Sequence, residues 1–439
     1  MRLKGITWAA GLMLGGLMLV AAAYSPNAIA QRAGGDDESS AANQQTRRTP
    51  AMRERVYSVL AEAQACAEMD DYPCAMELLA EVRAMDDLNS YEVAQMWTFY
   101  AFIYYSQDNL QEALDAYLNV IQQPDLPIGL ETDTIFTIAQ LYQATEQYPQ
   151  ALEMLDRWFT VAENPGAQPY YLKAVIHYQL TQFREGIEPI QSAIRIAAER
   201  NEDPQEGWYQ LLNVFYFELE DYPNVIRTLT TLVEMWPKKD YLTQLAGIYG
   251  QQGDDDAQLA LFEAAYEGNW LDRGTEQVTL AQMLMQAQAP VKSARILQAG
   301  LDSGLIESTQ ANWRLLAQAW QLAQEDENAL PAYTRASSLA DDGELDMRLA
   351  QSYANLARWE ECAESSRTAL SRGGISRTDQ VNMLLGNCLV EMRSYAQALE
   401  AFRAAARDER SRTAANQWVS FVQGEQRRER ELEAMLSRG

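Results

Sequence analysis

Tyr91-Glu-Val-Ala-Gln-Met-Trp97-Thr-Phe-Tyr100-Ala101-Phe102-Ile-Tyr104-Tyr105-Ser-Gln-Asp108-Asn109-Leu-Gln-Glu-Ala113-Leu-Asp-Ala-Tyr117-Leu-Asn-Val-Ile121 carries two helical patterns that meet at Asp108-Asn109. Large and small apolar residues recur at helical spacing on both sides of that short turn. Such a hairpin has two apolar faces and buries both only by stacking on copies of itself.

The copies are present. The small residue of the first helix recurs at Ala63, Ala101, Ala139, Ala174, Asn213, Ala246, Ala281, Ala317, Ala350 and Gly386, in steps of 38, 38, 35, 39, 33, 35, 36, 33 and 36 residues. Three residues on comes a large side chain such as Tyr104, Tyr142, Tyr216 or Trp320. Twelve residues on a small one often returns, as at Ala75, Ala113, Ala151, Gly186, Ala329 and Ala398. Two helices approach closely only where both are small, so these positions mark the crossing and the large residues fill the grooves beside it. The pattern resembles the tetratricopeptide repeat, whose period is ~34 residues. The resemblance implies an all-α, right-handed α-solenoid of about ten helix hairpins over residues 52–410. Asn213 departs from the small-residue rule, and the proline that ends a repeat is clear only at Pro237.

Residues 1–30 have the form of an export signal. Arg2 and Lys4 precede an apolar run from Ile6 to Ala23, and Ala28-Ile29-Ala30 has the spacing of a cleavage site. An uncleaved anchor is the competing reading. Cleavage before Gln31 predicts an exported, periplasmic protein with no membrane insertion of the mature chain. Residues 31–51 are mainly Gly, Ser, Asn, Gln, Ala and charge with no large apolar side chain, and read as a disordered leader.

The formal charge is −27, and −29 once Arg2 and Lys4 leave with the signal. That balance repels nucleic acid and anionic lipid. Four cysteines fall in two local pairs, Cys66 with Cys74 and Cys362 with Cys388. An exported chain with an even count predicts two disulfides near the two ends of the stack; four buried thiols are the alternative. A Cys-x7-Cys spacing without nearby histidine is a poor metal site.

Catalytic chemistry has little to work with. His177 is the single histidine and occupies a slot where other repeats carry tyrosine, so it reads as a packing residue. No phosphate-binding loop, dinucleotide turn or His-Glu-x-x-His helix is present. Asp254-Asp255-Asp256 and Asp341-Asp342 fall at helix starts, where acidic residues cap. We expect no enzyme, no metal and no cofactor.

The first helix of each repeat is expected to line a concave groove, with residues one after, four after and three before the small marker facing it. Those slots hold Phe102, Tyr105, Phe136, Gln140, Gln143, Tyr171, Tyr178, Gln210 and Phe217. Further on they hold Gln282, Gln318, Gln321, Gln351 and Asn387. Aromatic groups anchor protein interfaces and amides bond extended backbones, so this is the predicted partner-binding groove, with about half of its aromatics exposed. Residues 411–439 read as a capping helix and tail, with Trp418, Phe421 and Val422 on its inner face.

Several segments narrow the resemblance. Among them are Asp87-Leu88-Asn89, Ile103-Tyr104-Tyr105-Ser106, Trp236-Pro237-Lys238-Lys239, Leu245-Ala246-Gly247-Ile248-Tyr249 and Leu339-Ala340-Asp341-Asp342-Gly343-Glu344-Leu345. Together they resemble the periplasmic tetratricopeptide proteins associated with TonB–ExbB–ExbD energy-transduction systems. That resemblance implies a non-enzymatic accessory that docks TonB, ExbB or ExbD components, or TonB-dependent receptors, during nutrient uptake. An adaptor in outer-membrane or envelope assembly, and a regulator of a cell-wall enzyme, stay open beside it.

Overall fold

The computed structural model describes residues 51–436; the expected signal and most of the expected leader lie outside them. The described residues form 21 helices and no strand. The chain divides into two compact units at Pro165/Gly166.

The first unit holds three hairpins: α1 (Glu54–Glu68) with α2 (Tyr72–Arg83), α3 (Ser90–Ser106) with α4 (Leu110–Ile121), and α5 (Ile128–Ala144) with α6 (Tyr148–Val161). The second unit begins with α7 (Ala167–Gln179) and α8 (Phe183–Glu199), then α9 (Glu206–Glu218) and α10 (Tyr222–Met235), α11 (Lys239–Gln251) and α12 (Asp255–Glu267). It continues with α13 (Gly274–Gln286) and α14 (Pro290–Ser303), α15 (Gln310–Leu322) and α16 (Asp326–Ser338), α17 (Glu344–Asn355) and α18 (Trp359–Arg372), and α19 (Thr378–Glu391) and α20 (Tyr395–Ala405). A single long helix, α21 (Arg412–Leu436), follows. Within each unit a hairpin pairs its own two helices and sets its first helix against the second helix before it.

The small markers sit at the crossings as the spacing predicts. Ala101, Ala139, Ala174, Ala281, Ala317 and Ala350 are fully buried, as are Ala75, Ala113, Ala151, Ala329 and Ala398 opposite them. Leu155, Ile190, Tyr333 and Phe402 fill the space beside the crossings and are fully buried too. A side chain of that size contributes about 1.5–3 kcal/mol when removed from water. Asn213 is tolerated at its crossing half-buried, with its Oδ1 buried and unbonded.

The turns obey a rule that composition hides. Seven residues after every marker the backbone is left-handed, at Asp70, Asp108, Glu146, Thr181, Glu220, Gly253, Gln288, Gln324, Ala357 and Arg393, with φ between 56° and 76°. One residue later an N–H donates back to the carbonyl three after the marker, as in Asn109 to Tyr104 and Gln147 to Tyr142, at 2.8–2.9 Å in all ten hairpins. This is the six-to-one bond of a Schellman turn. It satisfies a carbonyl at the end of the first helix and aims the chain into the second. Proline near the start of the second helix supports the same turn at Pro73, Pro149, Pro223 and Pro290, where its missing N–H costs nothing. Proline thus marks the entry to second helices more often than the repeat end at Pro237.

Both cysteine pairs are bonded, Cys66 to Cys74 with Cα atoms 5.9 Å apart and Cys362 to Cys388 with 6.2 Å. The expected capping helix is α21, and Trp418 stacks on Phe402 at 5.4 Å while Val422 is fully buried. Phe421 corrects the expectation: it is 50% exposed, because α21 turns only a narrow Ala415–Trp418–Val422 stripe toward α20. From Gln423 onward no residue of α21 is buried.

Candidate interaction surface

The expected groove positions do different jobs. In the first unit Phe102 and Tyr105, one turn apart on α3, are 46% and 36% exposed. Phe136 on α5 is half-buried and leans on Trp158 at 5.5 Å between ring centroids. Gln140 is half-buried, and Gln143 is buried in the last turn of α5.

In the second unit Phe217 on α9 is exposed. Tyr171 is half-buried with its ring 6.0 Å from Trp208, and Tyr178 packs 6.4 Å from both Phe183 and Phe215. Burial pushes the Tyr171 hydroxyl up from its ordinary pKa. Gln210 donates its amide to the Tyr241 hydroxyl, so it joins hairpins rather than facing a ligand. Three of the six aromatics are therefore exposed and three carry packing contacts. The reason lies in the stack: Phe136 leans on the second helix of its own hairpin, while Tyr171 and Tyr178 reach aromatic side chains of the hairpin that follows theirs. Of the later slots, Gln282, Gln318 and Gln351 are exposed. Gln321 instead accepts from the Tyr333 hydroxyl at 2.8 Å, and Asn387 has a buried Oδ1.

His177 is buried at the end of α7 with Nδ1 2.8 Å from Gln182 Oε1, a turn contact. Asp254 caps α12 by accepting from the Ala257 N–H, and Asp342 accepts from the Glu344 N–H. Among the described residues no group of three or more His, Cys, Asp or Glu could hold a metal ion.

A second set of residues escaped the sequence reading. Glu92, in the first turn of α3, has a fully buried side chain that accepts from the Arg53 backbone N–H and guanidinium at 2.8–2.9 Å and from the Asn89 N–H at 3.0 Å. These bonds, Arg53 foremost, hold its pKa down to about 2. Asp379, in α19, takes Arg377 at 2.7 Å and the Ser411 hydroxyl at 2.6 Å, which hold it well below the usual carboxylate range. Lys238 bonds Glu206 at 2.6 Å and Lys239 bonds Glu276 at 2.8 Å. The Tyr241 hydroxyl also donates to Glu206, and burial followed by that carboxylate pushes its pKa up to about 12. Glu344 accepts from the Ser376 N–H at 2.7 Å. The Arg53–Glu92, Glu206–Lys238, Lys239–Glu276 and Glu344–Ser376 contacts each tie the start of one hairpin to the start of a neighbour, Asp379–Ser411 ties the last hairpin to α21, and the Asn89 and Arg377 bonds are local to their own helix starts. The quoted segments around Asp87-Asn89, Trp236-Lys239 and Asp342-Glu344 are thus clasps between hairpins, and their conformation serves packing.

Charge separates the exposed aromatics from their surroundings. Residues 51–165 carry 20 Asp and Glu against 4 Arg and no Lys, a net of −16. Of those arginines Arg53 binds Glu92, Arg157 binds Glu131 and Arg83 lies over Trp97. Phe102 and Tyr105 therefore stand in a field that attracts cations.

No family model matches the chain, and no curated protein matches it. It is similar in structure to several solved chains at low identity. The crystal structure of the MamA protein shares 14% identity over 40% of this chain and 94% of that one, with a TM-score of 0.34. A tetratricopeptide repeat protein from Parabacteroides merdae shares 11% over 60% and 99%, with a TM-score of 0.33. The TPR2AB-domain:pHSP90 complex of yeast Sti1 shares 14% over 67% and 99%, with a TM-score of 0.25.

Proposed function

We propose that this chain is a non-catalytic protein-binding scaffold of the bacterial periplasm, and that it serves a TonB-type energy-transduction system. The observation that carries the binding role is the Phe102–Tyr105 pair, two large aromatic side chains one turn apart that face solvent on a rigid helix. The clasps and crossings fix α3, so little ordering entropy opposes docking there. The partner is a protein segment that offers an apolar side chain to this pair and cations to the surrounding carboxylates.

The location draws its support from the cysteines. All four are bonded in pairs, which suits an oxidising compartment. The TonB link rests on the quoted segments, and docking of TonB, ExbB or ExbD components or a TonB-dependent receptor is the finer part of the proposal.

In-cell crosslinking from photoreactive groups at Phe102 and Tyr105, read by mass spectrometry, tests both parts. Recovery of TonB-system components supports the whole reading. Recovery of envelope-assembly factors or cell-wall enzymes keeps the scaffold and removes the TonB role. No protein crosslink from either position removes the docking surface.

A further inference from the structure

The two disulfides occupy opposite environments. Cys362 and Cys388 are fully buried among Leu385, Phe402 and Val422. Cys66 and Cys74 are half-buried and line an open cavity of about 530 Å³ between α1 and α2, rimmed by Glu62, Glu77 and Glu81.

The first pair also stands in an unusual register. Cys66 lies three residues after the marker Ala63, where the other hairpins carry Tyr104, Tyr142, His177, Tyr216, Tyr249, Leu284, Trp320, Tyr353 and Leu389. Those larger side chains hold the first helix against its surroundings by packing. In the first hairpin a thiol-sized group does that job through a covalent bond to Cys74. Removing the bond leaves the slot underfilled, so reduction loosens this hairpin specifically.

We propose that Cys66–Cys74 is a thiol–disulfide exchange site for a protein dithiol with a neutral or cationic approach face, and that Cys362–Cys388 is a permanent cross-link. A reductant thiolate bonds to one sulfur of the pair. The Cys66–Cys74 bond breaks, and its electron pair leaves on the other cysteine, which takes up a proton. The reductant's second thiol, as thiolate, then attacks its own sulfur in the mixed disulfide and releases the remaining cysteine, which is protonated in turn. Two electrons have entered the protein, and the reductant departs as a disulfide. The glutamate rim repels anionic thiols such as glutathione, which carries two carboxylates, and favours neutral or cationic dithiols.

The test uses the mature full-length protein under native conditions, treated with dithiothreitol to compare the two pairs, and with the monothiols 2-mercaptoethanol and glutathione at equal thiolate concentration to read charge selectivity. Alkylation and peptide mass spectrometry then follow each pair. Cys66–Cys74 should open at least roughly tenfold faster than Cys362–Cys388, and the two pairs should react at similar rates in denaturant. Neutral 2-mercaptoethanol should outpace glutathione, a monothiol like itself, at Cys66–Cys74, and added salt should narrow that difference. Parallel reduction of both pairs in the native protein, or earlier opening of Cys362–Cys388, overturns the proposal. Combined Glu62→Gln, Glu77→Gln and Glu81→Gln should bring glutathione close to 2-mercaptoethanol; an unchanged gap removes the charge selectivity. Limited proteolysis after reduction should gain cuts within residues 54–83 alone, and cuts spread through the chain would refute local loosening.

Discussion

A methyl group on Gly386 would lie 2.6 Å from Cε1 of Phe402, well inside contact distance. Phe402 is fully buried and its ring also stacks on Trp418, which restrains its retreat. Gly386→Ala should therefore destabilise the protein by about 1–3 kcal/mol, as overpacking of a close crossing does. Denaturant unfolding checks this, with Gly424→Ala as a control, because a Cβ there meets nothing within 4 Å.

Glu92 predicts a pH dependence. Its folded pKa of about 2 lies below the ordinary 4.5, so its stabilising bonds are fully present above the unfolded value. They are lost as pH falls from about 4.5 toward about 2. Glu92→Gln should lower the unfolding temperature at neutral pH and flatten its dependence on pH across that window. Equal slopes for the two proteins would show that the clasp is energetically idle.

The exposed and packed aromatics should separate by experiment. Phe102→Ala should change stability by no more than about 0.5 kcal/mol and weaken partner capture. Phe136→Ala should cost about 1–3 kcal/mol, less than a full core deletion because the ring is half-buried against Trp158. Paired unfolding and pull-down measurements distinguish the two.

Ala357 holds a left-handed backbone, φ 56°, at an exposed turn. Ala357→Gly should be neutral or stabilising by up to about 1 kcal/mol, because glycine meets no Cβ penalty there. A loss above about 1 kcal/mol would refute the assignment of strain to that turn.

The crossings were legible in the sequence because each is a local pattern repeated in register. Ala101 and Ala113 are twelve residues apart, and the same pair of small side chains returns along the chain. The turn rule was not legible, since Gly253 is the one glycine among the ten left-handed positions. The clasps were hidden for a different reason. Arg53 and Glu92 stand 39 residues apart and Asp379 and Ser411 stand 32, with different residue types in each clasp. The groove register located exposed Phe102 and Tyr105. Periodicity specifies a helix face but not how far neighbouring helices cover it, so it does not separate Phe136, Tyr171 and Tyr178 from the exposed pair.

From marker to left-handed residue the distance is seven in every hairpin, while successive markers stand 33 to 39 residues apart. The variation falls after the turn, in the second helices, in the loops between hairpins and in the opening turn of the next first helix, since α3 and α5 start 11 residues before their markers and α9 and α11 start seven before theirs. A gene encoding this chain can gain or lose up to a few codons there, or duplicate a whole hairpin, without disturbing any crossing. Copy number and spacing are thereby free to drift under selection by a partner, while the fold of each hairpin is inherited intact.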